Sequence, residues 1–215
     1  MTRRRFPVGK TLLYVFMSLW ALTTIYPFIW VILNSFKPRG LIRSDTFSLP
    51  IGDKFTLENY VTAFKRVDIG TAYVNSIVIS GAVTVVVMVL AGLAAYAMVR
   101  YSFRLRGFLH SMIIASMMFP VFSTIIPVFR MESSWGIVNT GSIWLTRLSV
   151  VLPQIAGNLS FAIIVLMGFI RSLPVDLEEA AYLEGYNVYQ IFFRIIMPLA
   201  KPSFATVGIF TFLWS

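Results

Sequence analysis

Long uncharged runs separated by short charged segments set the pattern of this chain. Thr11 to Phe36, Ile69 to Val99, Gly107 to Phe129 and Leu148 to Ile170 are each long enough for the roughly 20 apolar residues that carry a helix across a bilayer core. A fifth run opens at Pro202 and reaches Ser215. Its roughly 14 residues would rise only about 21 Å, short of a core of roughly 30 Å. The pattern predicts an all-α polytopic membrane protein with about five spans, over 11–36, 70–99, 107–129, 148–170 and, incomplete, 202–215. The last of these leads to the expectation that a C-terminal part is missing.

Composition agrees with that pattern. Of 215 residues, 58% are apolar and 13% charged, the latter about half the roughly 25% usual in soluble domains. Mean hydropathy is +0.80, too high for a soluble fold of this size to conceal. The chain has no cysteine, which excludes disulfides, thiolate metal sites and a cysteine nucleophile. Its single histidine, His110, excludes a His-rich metal cluster and reads as an interface residue. Lys and Arg outnumber Asp and Glu 18 to 9, an excess that in so apolar a chain suits anionic lipid headgroups rather than nucleic acid.

Charge placement predicts topology. Arg3, Arg4, Arg5 and Lys10 precede the first span, and Arg100, Arg104 and Arg106 crowd the link between the second and third. By the positive-inside rule both segments are cytoplasmic, with residues 1–10 as a cytoplasmic N-terminus. Lys37, Arg39, Arg43, Lys54, Lys65 and Arg66 are diluted over a longer outer loop, 37–68. The N-terminal arginines followed by an apolar run resemble a signal peptide, but the run is too long and no small-x-small cleavage site follows, so an uncleaved first span is expected. Within the outer loop, Leu57, Tyr60, Val61 and Phe64 share one helical face, with Thr56 as N-cap. That helix lies at the outer interface or caps the protein's own outer mouth. Trp20, Trp30, Trp135 and Trp144 lie near proposed span ends, where headgroup anchoring is expected. Pro120 and Pro127 interrupt the third span, which then either lines a pathway or is a kinked bundle helix. No internal repeat or low-complexity segment is present.

The segment 171–201 cannot lie in lipid. Asp176, Glu178, Glu179 and Glu184 would together cost on the order of 12 kcal/mol, at roughly 3 kcal/mol each. It divides into two short helices. Pro174 suits the first turn of one, and Asp176, Glu178 and Glu179 complement its N-terminal dipole. Leu177, Ala180 and Ala181 share a face with Glu184 at its far end, and the two alanines permit close approach of a partner surface. Gly185 ends the helix in the left-handed conformation. Asn187 caps the second helix, with Gln190 completing a capping box. That helix runs through Ile191, Phe192 and Ile195 and stops before Pro198, and Pro202 opens the last span. Such an apolar-faced pair either docks on another protein or folds back on the underside of its own bundle.

Glu179-Ala180-Ala181, Gly185 and Ile195-Ile196-Met197-Pro198 have the spacing of the EAA loop in membrane subunits of ATP-binding-cassette importers. Met197 stands for the usual Leu, and Glu184 for the Asp that commonly precedes the Gly. Glu58-Asn59-Tyr60, Asn75-Ser76, Ala94-Ala95-Tyr96-Ala97 and the stretch from Pro120 to Pro127 resemble the carbohydrate branch of that family. The chain is thus similar over nearly its whole length to the second permease of maltose-type and glycerol-phosphate-type importers, whose transmembrane domain is of type I and has six spans.

The resemblance implies a bacterial or archaeal plasma-membrane permease that moves a sugar or oligosaccharide by alternating access. A polyol or glycerophosphate derivative is the alternative cargo. It implies four kinds of partner: a second permease, an ATPase dimer that binds ATP-Mg, an extracytoplasmic solute-binding protein and membrane lipid. The chain itself would hold no cofactor or metal, and it has no phosphate-binding Gly-rich loop with its Lys. By resemblance Glu179 makes polar contacts with the ATPase, Ala180, Ala181 and Gly185 allow a close fit, Ile195 belongs to the same motif, and Pro198 fixes the exit into the fifth span. Asn75, Ser76, Ser123, Thr124 and Asn158, with Ser80, Gln154 and Ser160, are polar groups in or near spans. They either line a solute path or hold helices together. Two further classes are weighed against the importer. A membrane enzyme would use the loop carboxylates as acid and base, but no nucleophile, metal or pocket signal accompanies them. A scaffold subunit would leave uptake intact when removed.

Overall fold

The computed structural model describes residues 8–215. Arg3, Arg4 and Arg5, on which the cytoplasmic N-terminus rests, lie outside the described residues. The chain forms two compact units, Met1–Thr71 and Ala72–Ser215, and among the described residues its regular elements are all helices, with no strand.

The first unit consists of α1 (Val8–Ser35), α2 (Arg39–Ser44), a single 3-10 turn (Gly52–Lys54) and α3 (Glu58–Arg66). α1 carries Pro27 inside it, and Trp20 sits near its middle rather than at its end. The loop after α1 is knit by polar groups that a short segment can reach. Lys37 is fully buried, and its ammonium donates to the Asp45 and Thr46 carbonyls at 3.0 and 2.8 Å. The Asn59 amide donates to the Ser35 and Lys37 carbonyls at 3.0 and 2.7 Å. Phe36 stacks on Phe55 and tilts against Tyr60. Tyr60 contacts the loop through Phe36 while, like Leu57, Val61 and Phe64, remaining exposed. Leu57, not Thr56, occupies the capping position of α3, although the Thr56 hydroxyl still accepts from the Glu58 N–H at 3.1 Å. Lys54 pairs with Asp45 and holds its carboxyl below the ordinary range. Because that shift is downward, the pair's contribution is present above the ordinary carboxylate range and is lost as pH falls.

The second unit is built on α4 (Ile69–Arg100), a helix that begins in the first unit, and α7 (Ile143–Ser172). α1, α4 and α7 are long and apolar enough to span a membrane. Val83, Val87, Ala91 and Ala95 recur every fourth residue on α4 and are fully buried. Ala162, Leu166 and Ile170 do the same on α7, and both stripes belong to one core. α11 (Lys201–Trp214) packs on α7 and meets α4 through side chains: a Cβ on Gly92 would sit 2.8 Å from the Phe204 ring and 2.9 Å from that of Phe192, and one on Gly208 would meet the Met88 sulfur at 3.1 Å. Only glycine fits at position 92 without displacing an aromatic ring.

The third predicted span is two helices, α5 (Arg106–Ser116) and α6 (Val121–Ser134), bent by 104°. The break falls before Pro120, whose ring disfavours helical geometry in the residue ahead of it. Pro127 is accommodated inside α6, so only one of the two prolines breaks the span. α7 begins at Ile143, earlier than the predicted Leu148, and so takes in Arg147. Hydropathy counted Arg147 as loop. Its guanidinium instead donates to the Asn75 side-chain oxygen at 2.8 and 3.2 Å and lies over the Trp144 ring.

Candidate functional site

The segment after α7 folds as its local chemistry dictates. α8 (Asp176–Leu183) carries Asp176, Glu178 and Glu179 in its first turn, with Pro174 two residues ahead of it rather than within it. Gly185 adopts φ +86°, and two bonds complete the reversal: the Tyr186 N–H to the Ala181 carbonyl and the Gly185 N–H to that of Tyr182, both 3.0 Å. This is the Schellman arrangement that a left-handed glycine permits. Asn187 and Gln190 exchange the expected reciprocal bonds at 2.9 Å, starting α9 (Val188–Ile191). The helix does not stop before Pro198. It widens into a π turn (Phe192–Ile196) and continues as α10 (Met197–Leu199). Pro198 has no N–H to donate, and the wide turn directly ahead of it relieves the clash its ring makes with the preceding turn. The exit into α11 is an 83° bend at Ala200, with Pro202 in the first turn of α11.

The two helices have two faces. One is packed against the chain itself: Ala181 is 3% exposed, Ile191, Ile196 and Ala200 are fully buried, Phe192 is 1% exposed, and Ile195 packs at the edge of this core. At its centre lies Glu178. Its carboxylate is paired with Arg100 at the end of α4, their side chains 5% and 10% exposed, and it accepts from the Tyr96 hydroxyl at 2.8 Å. Arg100 also donates to the Leu173 carbonyl at 2.9 Å, which ties down the end of α7. No buried side-chain atom of this knot lacks a partner, the condition under which a buried charge pair is tolerated. Beside it, Tyr101 bonds Tyr182 at 2.9 Å, and burial together with that bond pushes the Tyr101 phenol above its ordinary range.

The other face is open. Glu179 and Ala180 are exposed, and Leu183 is 91% exposed. The expectation that Ala180 and Ala181 together face a partner is corrected: Ala181 turns inward. Gly185 has open space where a Cβ would be, so within this chain it is the positive backbone angle that calls for glycine. Glu178 is the residue that sequence reasoning placed only at a helix terminus. Its spacing of three from Ala181 was the available signal that it shares the inward face.

The polar residues expected along a path do not form one set. Asn75 is engaged by Arg147. Ser123 and Thr124 donate to the carbonyls of Pro120 and Val121, both at 2.7 Å. Ser80 is buried, and Ser76 is exposed. Ser160 and Ser116 bond to each other, linking α7 to α5. Thr124, Gln154 and Asn158 alone share a cavity, of about 770 Å³, formed where the bend opens α6 away from α5. Glu132, absent from the sequence expectations because it follows the apolar run, also lines it.

Long apolar helices, a sharply bent helix pair and a loop helix pair packed by one face against the chain itself define a multi-pass membrane protein. The profile described as "Binding-protein-dependent transport system inner membrane component" matches residues 87–215. The chain belongs to this family of inner-membrane transport permeases. It is 36% identical over 200 residues to the diacetylchitobiose uptake system permease protein NgcG of Streptomyces coelicolor, covering 93% of this chain and 64% of that one. It is 30% identical over 209 residues to the probable ABC transporter permease protein YurM of Bacillus subtilis, covering 97% and 67%. The chain thus spans about two thirds of the length of these relatives. Its fold matches the crystal structure of a bacterial ABC transporter involved in the import of the acidic polysaccharide alginate, with a TM-score of 0.81 and 23% identity over 99% of this chain and 72% of that one.

Proposed function

We propose that the chain is a permease subunit of an ATP-driven importer that moves a sugar or oligosaccharide across the plasma membrane by alternating access. The observation that carries this reading is the two-faced loop. One face is welded to the end of α4 through Arg100 and Glu178, so force applied to the loop reaches a membrane-spanning helix. The other face, with Glu179, Ala180 and Leu183, is exposed and is suited to an ATPase partner. Hydrolysis of ATP-Mg belongs to that partner. A second permease and an extracytoplasmic binding protein complete the assembly, and the N-terminus is cytoplasmic, so that the loop faces the ATPase. The diacetylchitobiose relative supports a carbohydrate cargo. The transition is a population shift driven by differential contacts in the two states.

Glu179→Lys in the full-length gene product, assembled with its ATPase and reconstituted in proteoliposomes, tests the coupling. Sugar-stimulated ATP hydrolysis should fall to the unstimulated level, because the reversed charge meets the ATPase groove. Stimulation equal to that of the unsubstituted transporter contradicts the coupling role.

A further inference from the structure

The short helix α3 carries an apolar face that nothing among the described residues covers. Leu57, Val61 and Phe64 follow one another at spacings of four and three, and they are 52%, 49% and 66% exposed. The helix itself is held in place. Half-buried Asn59 donates to the Ser35 and Lys37 carbonyls, the Tyr60 and Ser35 hydroxyls bond at 2.6 Å, and the Thr56 N–H donates to the Phe36 carbonyl at 2.7 Å. The three apolar side chains therefore stand out from a fastened element.

Position along the chain says what covers them. α3 starts against the end of α1, and its last residue, Arg66, is three short of Ile69, where α4 begins. Both α1 and α4 are long and apolar enough to span a membrane, so α3 is tied to a membrane boundary at each end. Its nine residues, about 13 Å in length, then lie along that boundary. Lys65 and Arg66 close the helix, and among the described residues neither pairs with a carboxylate. An apolar face ending in free cations suits the headgroup zone of a bilayer that contains anionic lipid.

We infer that α3 is a membrane-surface anchor: Leu57, Val61 and Phe64 rest in the headgroup–acyl boundary of the leaflet at which α1 ends, and Lys65 and Arg66 meet the phosphates of anionic lipid there. The inference stands on the membrane-spanning helices and holds whatever the cargo and whichever ATPase drives it.

Spin labels read the depth of α3 in the complete transporter. Full-length permease is assembled with its partner subunits, every native cysteine replaced by serine, in nanodiscs of phosphatidylcholine with phosphatidylglycerol. Phe64→Cys on the apolar face and Ala63→Cys, exposed on another, each carry a nitroxide. Power saturation with oxygen and with a nickel chelate then gives each label's depth. The Phe64 label should be reached by oxygen in preference to nickel and lie about 5–10 Å inside the headgroup boundary, and the Ala63 label should favour nickel. A Phe64 label reached by nickel as readily as the Ala63 label lies in water, and one reached by neither reagent is covered by another subunit; either result overturns the proposal. Leu57→Cys, on the same face, gives the reading if Phe64→Cys does not assemble. In phosphatidylcholine alone the Phe64 label should lie shallower, and Lys65→Gln with Arg66→Gln should produce the same loss of depth in the mixed lipid. A depth indifferent to lipid charge and to the two substitutions overturns the contact with anionic headgroups.

Discussion

Arg100→Ala should destabilise the 72–215 unit by about 3–5 kcal/mol, the cost of leaving one member of a buried charge pair unpaired. The substitution strands the Glu178 carboxylate, 5% exposed, with only the Tyr96 hydroxyl as donor, and frees the Leu173 carbonyl at the end of α7. Glu178→Ala is expected to cost a similar amount by stranding the guanidinium. The double variant Arg100→Met with Glu178→Met removes both charges and refills the space, so it should be less harmful than either single change. Thermal unfolding of the assembled transporter in detergent, run as a double-mutant cycle, reads all three. Simple additivity of the two single effects would show that the pair does not hold the loop.

Phe192→Ala is expected to cost about 3–5 kcal/mol, the range for truncating a buried aromatic. Phe192 is 1% exposed, and its ring meets those of Tyr96, Phe193 and Phe204 as well as the space left by Gly92. It therefore joins the loop after α7, α4 and α11 at one point. Its loss also removes the wall against which Tyr96 rests while bonding Glu178. The loop should become sensitive to protease in intact inverted vesicles at concentrations that leave the unsubstituted loop uncut. Phe192→Leu, which keeps most of the volume, should retain most of the protection.

The parts of this architecture that were legible in the sequence are local ones. Gly185 and the Asn187–Gln190 box act on backbone groups within a few residues, so the chain around them specifies their geometry on its own. The long spans follow from hydropathy. What escaped depends on partners far away in sequence. Glu178 and Arg100 are 78 residues apart, and nothing near either one announces the other. Asp176, Glu178 and Glu179, in one first turn, all satisfy the dipole, so local reasoning cannot say which is buried. Arg147 falls just before the predicted span that opens at Leu148, because hydropathy penalises any charge, whereas Asn75 on α4 and Trp144 accommodate it within α7. The 104° bend was legible as a proline break, but which of Pro120 and Pro127 breaks the helix depends on the packing around each. Glu132 fell outside the apolar run and was passed over, although the bend brings its helix to the cavity wall. Whether the loop packs on its own bundle also stood open on sequence grounds; the structure packs one face against the chain itself and leaves the other exposed.

The absence of cysteine allows a direct test of the two-faced loop. Single cysteines at Leu183, 91% exposed, and at Ala181, 3% exposed, can each carry a photoreactive maleimide in full-length permease in which any cysteine beyond these 215 residues is replaced by serine. The expected result on illumination of the assembled transporter is a covalent adduct between the ATPase subunit and the Leu183→Cys variant, with none from Ala181→Cys. An adduct from Ala181→Cys, or no ATPase adduct from Leu183→Cys in a complex that still contains the ATPase, would contradict the account.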